Sequence, residues 1–250
     1  MMNDRILYAG DSHLGGAAAY LAGVLSHGGI PFDHVPSDAP LGPTLGLTEP
    51  RLYVISDYPV KNLTDADMQR ISGDVAAGAG LLMIGGWESF HGAAGEYHTS
   101  PLAEILPVRM QNSDDRVNAA RPCLVEEGAS HPILEGLPLE RPPGIGGYNR
   151  VEPREGAEVL LFARHCPVEV DPRGQYTVTP GARAPLLVVG HHGRGRTAAF
   201  ASDVAPHWVG GLVDWGEGRV KACAPGGVEI EVGSLYAEFF TRLVRWTMGA

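Results

Sequence analysis

Apolar and polar positions along the chain follow two alternating periods. The run Ile6-Leu7-Tyr8-Ala9 ends in Gly10-Asp11-Ser12, and Ala17 to Leu25 then carries apolar residues at helical spacing until Gly28-Gly29. This order predicts strand, loop and helix. Phe32 to Val35 reads as a second strand and Arg51 to Ser56 as a third, stopped by Asp57-Tyr58-Pro59. Leu63-Thr64-Asp65 opens a helix capped by Thr64 that runs to about Ala77, and Gly78-Ala79-Gly80 leads into the apolar strand Leu81 to Ile84. Strands that alternate with helices predict a mostly parallel sheet covered on both faces.

From about residue 96 to 183 the pattern loosens into pieces punctuated by proline and glycine, with Val159 to Ala163 and Gln175 to Thr179 as strands. Regularity returns at Leu186 to Gly190, where a turn over 191–195 joins Arg196 to Ala201 as a β-hairpin. A last helix over about Ser234 to Met248 repeats Leu235, Phe239, Leu243 and Trp246 at helical spacing, so it faces the core. The expectation is a single domain over 1–250 with a β-rich insertion at about 96–183.

Charge narrows the partners. Nineteen lysines and arginines against 29 acidic residues give a formal net charge of −10. A phosphate backbone or an anionic membrane needs a clustered basic surface, so neither nucleic acid nor membrane is expected as a partner. The first residues show no secretory cleavage pattern and no run of transmembrane length, which predicts a cytoplasmic protein. Three cysteines, Cys123, Cys166 and Cys223, are far apart without a Cys-x-x-Cys spacing, and read as reduced structural thiols. His191 and His192 would point to opposite faces of a strand, so no metal site is read there, and no cofactor motif is found. Arg194 and Arg196 could grip an anion, although arginines at glycine turns are mostly solvated.

Ligands of open parallel sheets bind beyond the carboxyl ends of the strands. Three clusters lie at such positions: Gly10-Asp11-Ser12-His13, Gly85-Gly86-Trp87-Glu88-Ser89-Phe90, and Ser202-Asp203 with His207-Trp208. Their order, together with His131-Pro132-Ile133, Gly147-Tyr148-Asn149 and Gly193-Arg194-Gly195-Arg196, resembles the class I glutamine amidotransferase-like superfamily, in an uncharacterised bacterial branch, over nearly the whole chain. The resemblance implies a three-layer, flavodoxin-like α/β fold whose strand-to-helix elbow carries a nucleophilic cysteine in Gly-x-Cys-x-Gly. Here that run is Gly85-Gly86-Trp87-Glu88-Ser89. The nucleophile position falls on Trp87, and an indole cannot attack an amide carbonyl. His207 lies near the family's catalytic histidine, but the glutamate expected two residues on is replaced by Val209. The resemblance therefore implies an amidotransferase-like protein without glutaminase activity that binds a small molecule or a partner protein; a homo-oligomer is compatible with it.

Each candidate also has a plainer role. Trp87 could pack to close the former nucleophile pocket, or offer a stacking surface. Glu88 could be a base or ligand contact, or a solvated helix-capping carboxylate. Ser89 would cap a following helix, and Asp11 would stabilise a turn. Asp11, Ser12, Gly86, Trp87, Glu88, Ser89 and His207 are the expected ligand-binding set. A second reading rests on Gly10-Asp11-Ser12, which resembles the first motif of GDSL/SGNH hydrolases, with Ser12 as nucleophile and His207 and Asp203 as its partners. That family's Asp-x-x-His spacing is exceeded by one residue here, and its Gly-x-Asn-Asp block is missing. If Ser12 were instead a helix cap, its loss would cost about 1 kcal/mol.

Overall fold

The computed structural model describes residues 5–249. Nine strands form one sheet: β1 (Ile6–Gly10), β2 (Phe32–Val35), β3 (Leu52–Ser56), β4 (Gly80–Ile84), β5 (Arg116–Glu127), β6 (Gly144–Asn149), β7 (Glu158–His165), β8 (Arg183–His192) and β9 (Gly195–Phe200). Their spatial order is β2-β1-β3-β4-β9-β8-β7-β5-β6. The first five of these are parallel to one another, and every pairing from β9–β8 onward is antiparallel. The sheet is therefore mixed, with a parallel half and an antiparallel half. The segment expected as an insertion supplies β5, β6 and β7, so it extends the sheet itself.

Both faces of the parallel half are buried, as a parallel sheet requires. Along β1, Ile6 and Tyr8 join a core that includes α1 (Ala18–His27) and the C-terminal helix, while Leu7 and Ala9 join a second core with α2 (Asp65–Ala77). Thr64 starts α2 through a capping box with Asp67, satisfying two otherwise orphaned donors. Short helices follow at α3 (Pro101–Ile105) and α4 (Pro206–Val209), and α5 (Ser234–Met248) closes the chain. Phe239 and Phe240 of α5 pack their rings at 5.7 and 5.4 Å from Phe200 of β9. Parallel strands bring all their carboxyl ends to one edge, and that edge carries the loops of interest.

Candidate functional site

The loops beyond β1, β3 and β4 hold strained backbone. Asp11, Ser12, Asp57 and Phe90 have φ of 53°, 54°, 45° and 51°, and Glu96 is the one other non-glycine residue with positive φ among the described residues. Left-handed conformations of such side chains persist only where surrounding contacts impose them, and they concentrate at functional edges. Gly10 precedes two of them at φ 124°, and a Cβ there would lie 1.5 Å from the Ser56 carbonyl oxygen.

The turn after β4 is fixed from three directions. Gly85 N–H donates to the carbonyls of Phe200 and Ser202. Asn149, fully buried at the end of β6, accepts from Gly86 N–H at 2.9 Å and donates to Gly86 C=O at 3.1 Å and Asp115 Oδ1 at 2.7 Å. Asp115, also fully buried, accepts from the N–H groups of His91 and Gly92. From the loop after β3, Asp57 Oδ1 accepts from Glu88 N–H at 2.5 Å, while Asp57 N–H donates to Ser89 Oγ at 2.9 Å. A side chain on Gly86 would put its Cβ 2.4 Å from Asp57 Oδ1. Ser89 therefore caps no helix, contrary to the sequence expectation. The chain after it runs through turns, and its hydroxyl serves the β3 loop instead.

Above this turn lies an open cleft of about 450 Å³, lined by Asp57, Trp87, Glu88, Asp203 and His207 together with small alanines. Trp87 is 45% exposed; the His207 ring stands 6.1 Å from it, and the Arg116 guanidinium lies 4.4 Å over it. Arg116 is itself held by a two-pronged bond to Asp114. Asp203 Oδ1 accepts from Val204 N–H at 2.6 Å and Ala205 N–H at 3.0 Å. Its Oδ2 has no protein donor among the described residues. Asp11 is buried behind the cleft, where Tyr8 Oη donates to it.

Burial dominates the electrostatics of these acids. It pushes Asp57 up to about 6, with the Glu88 charge adding to it and the N–H groups of Glu88 and Trp87 pulling the other way. Burial, helped by the charge of Asp57, raises Asp203 to about 7. Asp11 is held well above the ordinary range by burial and then by Asp203 and Asp57.

The structure thus brings Trp87, Glu88, Asp203 and His207 to one cleft, with Gly86 and Ser89 in its supporting turn and Asp11 behind it. Ser12 is exposed and outside the cleft lining. It does not cap α1, whose N-cap is Ala17 without a side-chain bond. Asp203 is bound to backbone N–H groups, so nothing in its contacts orients His207 for a serine hydrolase. Arg194 and Arg196 spend donors on the carbonyls of Ala77 and Trp246. Among the described residues no His, Cys, Asp and Glu group is arranged to hold a metal ion. A larger groove of about 690 Å³ follows the edge strand β2, lined by residues such as Arg5, His13 and His34, but none of the strained acid loops except at His13 and its neighbours contributes to it. Convergent polar groups favour the smaller cleft.

Sequence reasoning missed Asp57, Asp115, Arg116 and Asn149. Asp57 obeys the strand-end rule, but in the sequence it sits inside the turn signal Asp57-Tyr58-Pro59, which hides it. Asn149 closes the run Gly147-Tyr148-Asn149, whose residue types alone assign it no partner.

The family described as "Putative glutamine amidotransferase" matches residues 54–220. A cytoplasmic protein from Salmonella typhimurium LT2 is similar in structure at a TM-score of 0.72, with 28% identity over 97% of this chain and 99% of its own. A second cytoplasmic protein from Salmonella typhimurium reaches 0.71 with 25% identity over 97% and 98%. A β-galactosidase from Rahnella sp. R3 shares the fold alone, at 16% identity and a TM-score of 0.53 over 97% of this chain and 30% of the enzyme. No curated protein matches the chain. No helix among the described residues is long and apolar enough to cross a membrane.

Proposed function

The chain belongs to this glutamine amidotransferase-like family, and we propose that within it the chain is a binding domain without glutaminase activity, with a small molecule as its ligand. The observation that carries this reading is the occupied elbow. Trp87 stands at the nucleophile position, and the Glu88 N–H that follows it is already taken by the Asp57 carboxylate at 2.5 Å. In acyl transfer the N–H after the nucleophile faces the developing oxyanion. A carboxylate in that place fills the donor and repels negative charge. None of the three cysteines lines the cleft.

A small molecule suits the site better than a protein partner, because the polar groups converge in a concave space instead of spreading over a flat apolar patch. The two covered faces of the parallel half support the flavodoxin-like, three-layer class. The cytoplasmic description of the Salmonella relatives, with the −10 charge of this chain, supports the same compartment here. The test is ammonia release from glutamine by the purified protein, before and after iodoacetamide. No release above a heat-killed control is expected. Turnover that alkylation of one cysteine abolishes would overturn the reading.

A further inference from the structure

Between β7 and β8 the chain leaves the large sheet as a two-stranded arm, Val168–Val170 paired antiparallel with Tyr176–Val178. Asp171 holds its turn, Oδ1 accepting from the N–H groups of Arg173 and Gln175. From Glu169 to Pro180 every residue is exposed, so the arm stands clear of the body. The register sets Val168 opposite Val178 and Val170 opposite Tyr176, which gathers these four apolar side chains on one face and leaves Glu169 and Thr177 on the other. Val170, Tyr176 and Val178 are 68%, 73% and 51% exposed. A two-stranded hairpin is marginal by itself in water, and further strands stabilise it.

The two edges of the arm differ. One, Pro167 to Pro172, carries Glu169 and Asp171 between two prolines, the usual guards of an open edge. The other, Gln175 to Thr179, has neither charge nor proline and is rich in strand-forming Tyr, Thr and Val. Asp171 N–H donates to the Gln175 carbonyl, and Thr179 N–H to the Pro167 carbonyl. Antiparallel ladders alternate, so Thr177 also turns its backbone groups to the first strand. Those of Tyr176 and Val178 face the open side, where no further strand pairs among the described residues.

We propose that this edge pairs with the same edge of a second copy, joining two chains through a four-stranded arm about a two-fold axis at Thr177. Tyr176 then exchanges N–H···O=C bonds with the partner's Val178, and Val178 with the partner's Tyr176. Each is an aromatic beside a β-branched residue, and Thr177 meets the partner's Thr177, both favourable cross-strand pairs. The same symmetry at the guarded edge would set Glu169 against the partner's Glu169, a like-charge pair. Pairing one edge with the other kind would leave an open-ended chain, whereas the two-fold closes. Copies with a formal net charge of −10 repel across acidic surfaces, and this edge has no charge to bring together.

The experiment is sedimentation analysis of the full chain from about 1 to 100 µM, with a dimer forming across that range, as suits one short strand pair. Val178→Pro removes an N–H from the open side and none from the arm's own ladder, and should weaken dimerisation at least about tenfold. Thr177→Lys, which sets like charges at the axis, should also weaken it. Register is read by Thr177→Cys in a Cys166→Ser, Cys223→Ser background. Directly opposite residues that exchange no hydrogen bonds lie about 4.5 Å apart at Cα, within disulfide reach, so diamide should cross-link this variant and leave Thr179→Cys uncoupled. A chain still monomeric at about 100 µM, a dimer unaffected by both Val178→Pro and Thr177→Lys, or cross-linking of Thr179→Cys in place of Thr177→Cys overturns the proposal.

Discussion

Replacing Asp203 by asparagine should make the protein more stable, and more so as pH rises. Asparagine keeps Oδ1 as the acceptor for the Val204 and Ala205 N–H groups, and it places Nδ2 where Oδ2 has no donor. What it removes is a charge that burial disfavours. The folded protein holds the Asp203 proton up to about pH 7, whereas the unfolded chain releases it near 3.8. Between those values the native state binds more protons than the unfolded state, so this group subtracts stability as pH rises through the interval, and the loss is complete above it. At about 1.4 kcal/mol per unit, the interval corresponds to about 4 kcal/mol if Asp203 titrated alone. Asp11 and Asp57 share the repulsion and water enters the open cleft, so a gain of about 1–3 kcal/mol at pH 8 is expected, shrinking toward zero near pH 4. Urea denaturation of both proteins at pH 5 and pH 8 measures it. A variant less stable than wild type at pH 8, or a difference equal at the two pH values, would refute the reasoning.

Asn149→Ala should cost about 3 kcal/mol, because it strands Gly86 N–H, Gly86 C=O and Asp115 Oδ1 in a buried network. Thermal melts corresponding to less than about 1 kcal/mol would show that the turn stands without its clamp. Ser12→Ala should stay within about 0.5 kcal/mol of wild type, since the exposed side chain caps nothing, and wild type should resist a fluorophosphonate probe. Stoichiometric labelling at Ser12 would restore the serine-hydrolase alternative.

The parallel half of the fold was legible because its signals are local. Phe32–Val35, Asp65–Ala77 and Ser234–Met248 lie where periodicity and the Thr64 cap put them. The antiparallel half was hidden. Arg116–Glu127 scatters charged residues through its length and bulges between Asn118 and Cys123, and Gly144–Asn149 contains three glycines. Such strands are held by their neighbours in the sheet more than by their own composition. At the site, the strand-end rule found Trp87, Glu88, Asp203 and His207. It could not find Asn149, whose role depends on a residue far away in sequence, or foresee that Ser89 would serve Asp57 in place of a helix end.

The junction between the two halves sets the order in which this chain can become native. Leu81 of β4 pairs with Thr197 of β9, so the strand Leu81–Ile84 must wait for most of the chain to be synthesised before its free side is covered. Long-range parallel pairing of this kind forms late, since the loop must close before any contact rewards it. Until then an apolar strand edge stands open, the usual template for pairing with a neighbouring chain. A ribosome-bound or truncated product ending before Thr197 should therefore aggregate through Leu81–Ile84, and the cleft is among the last parts of the molecule to assemble.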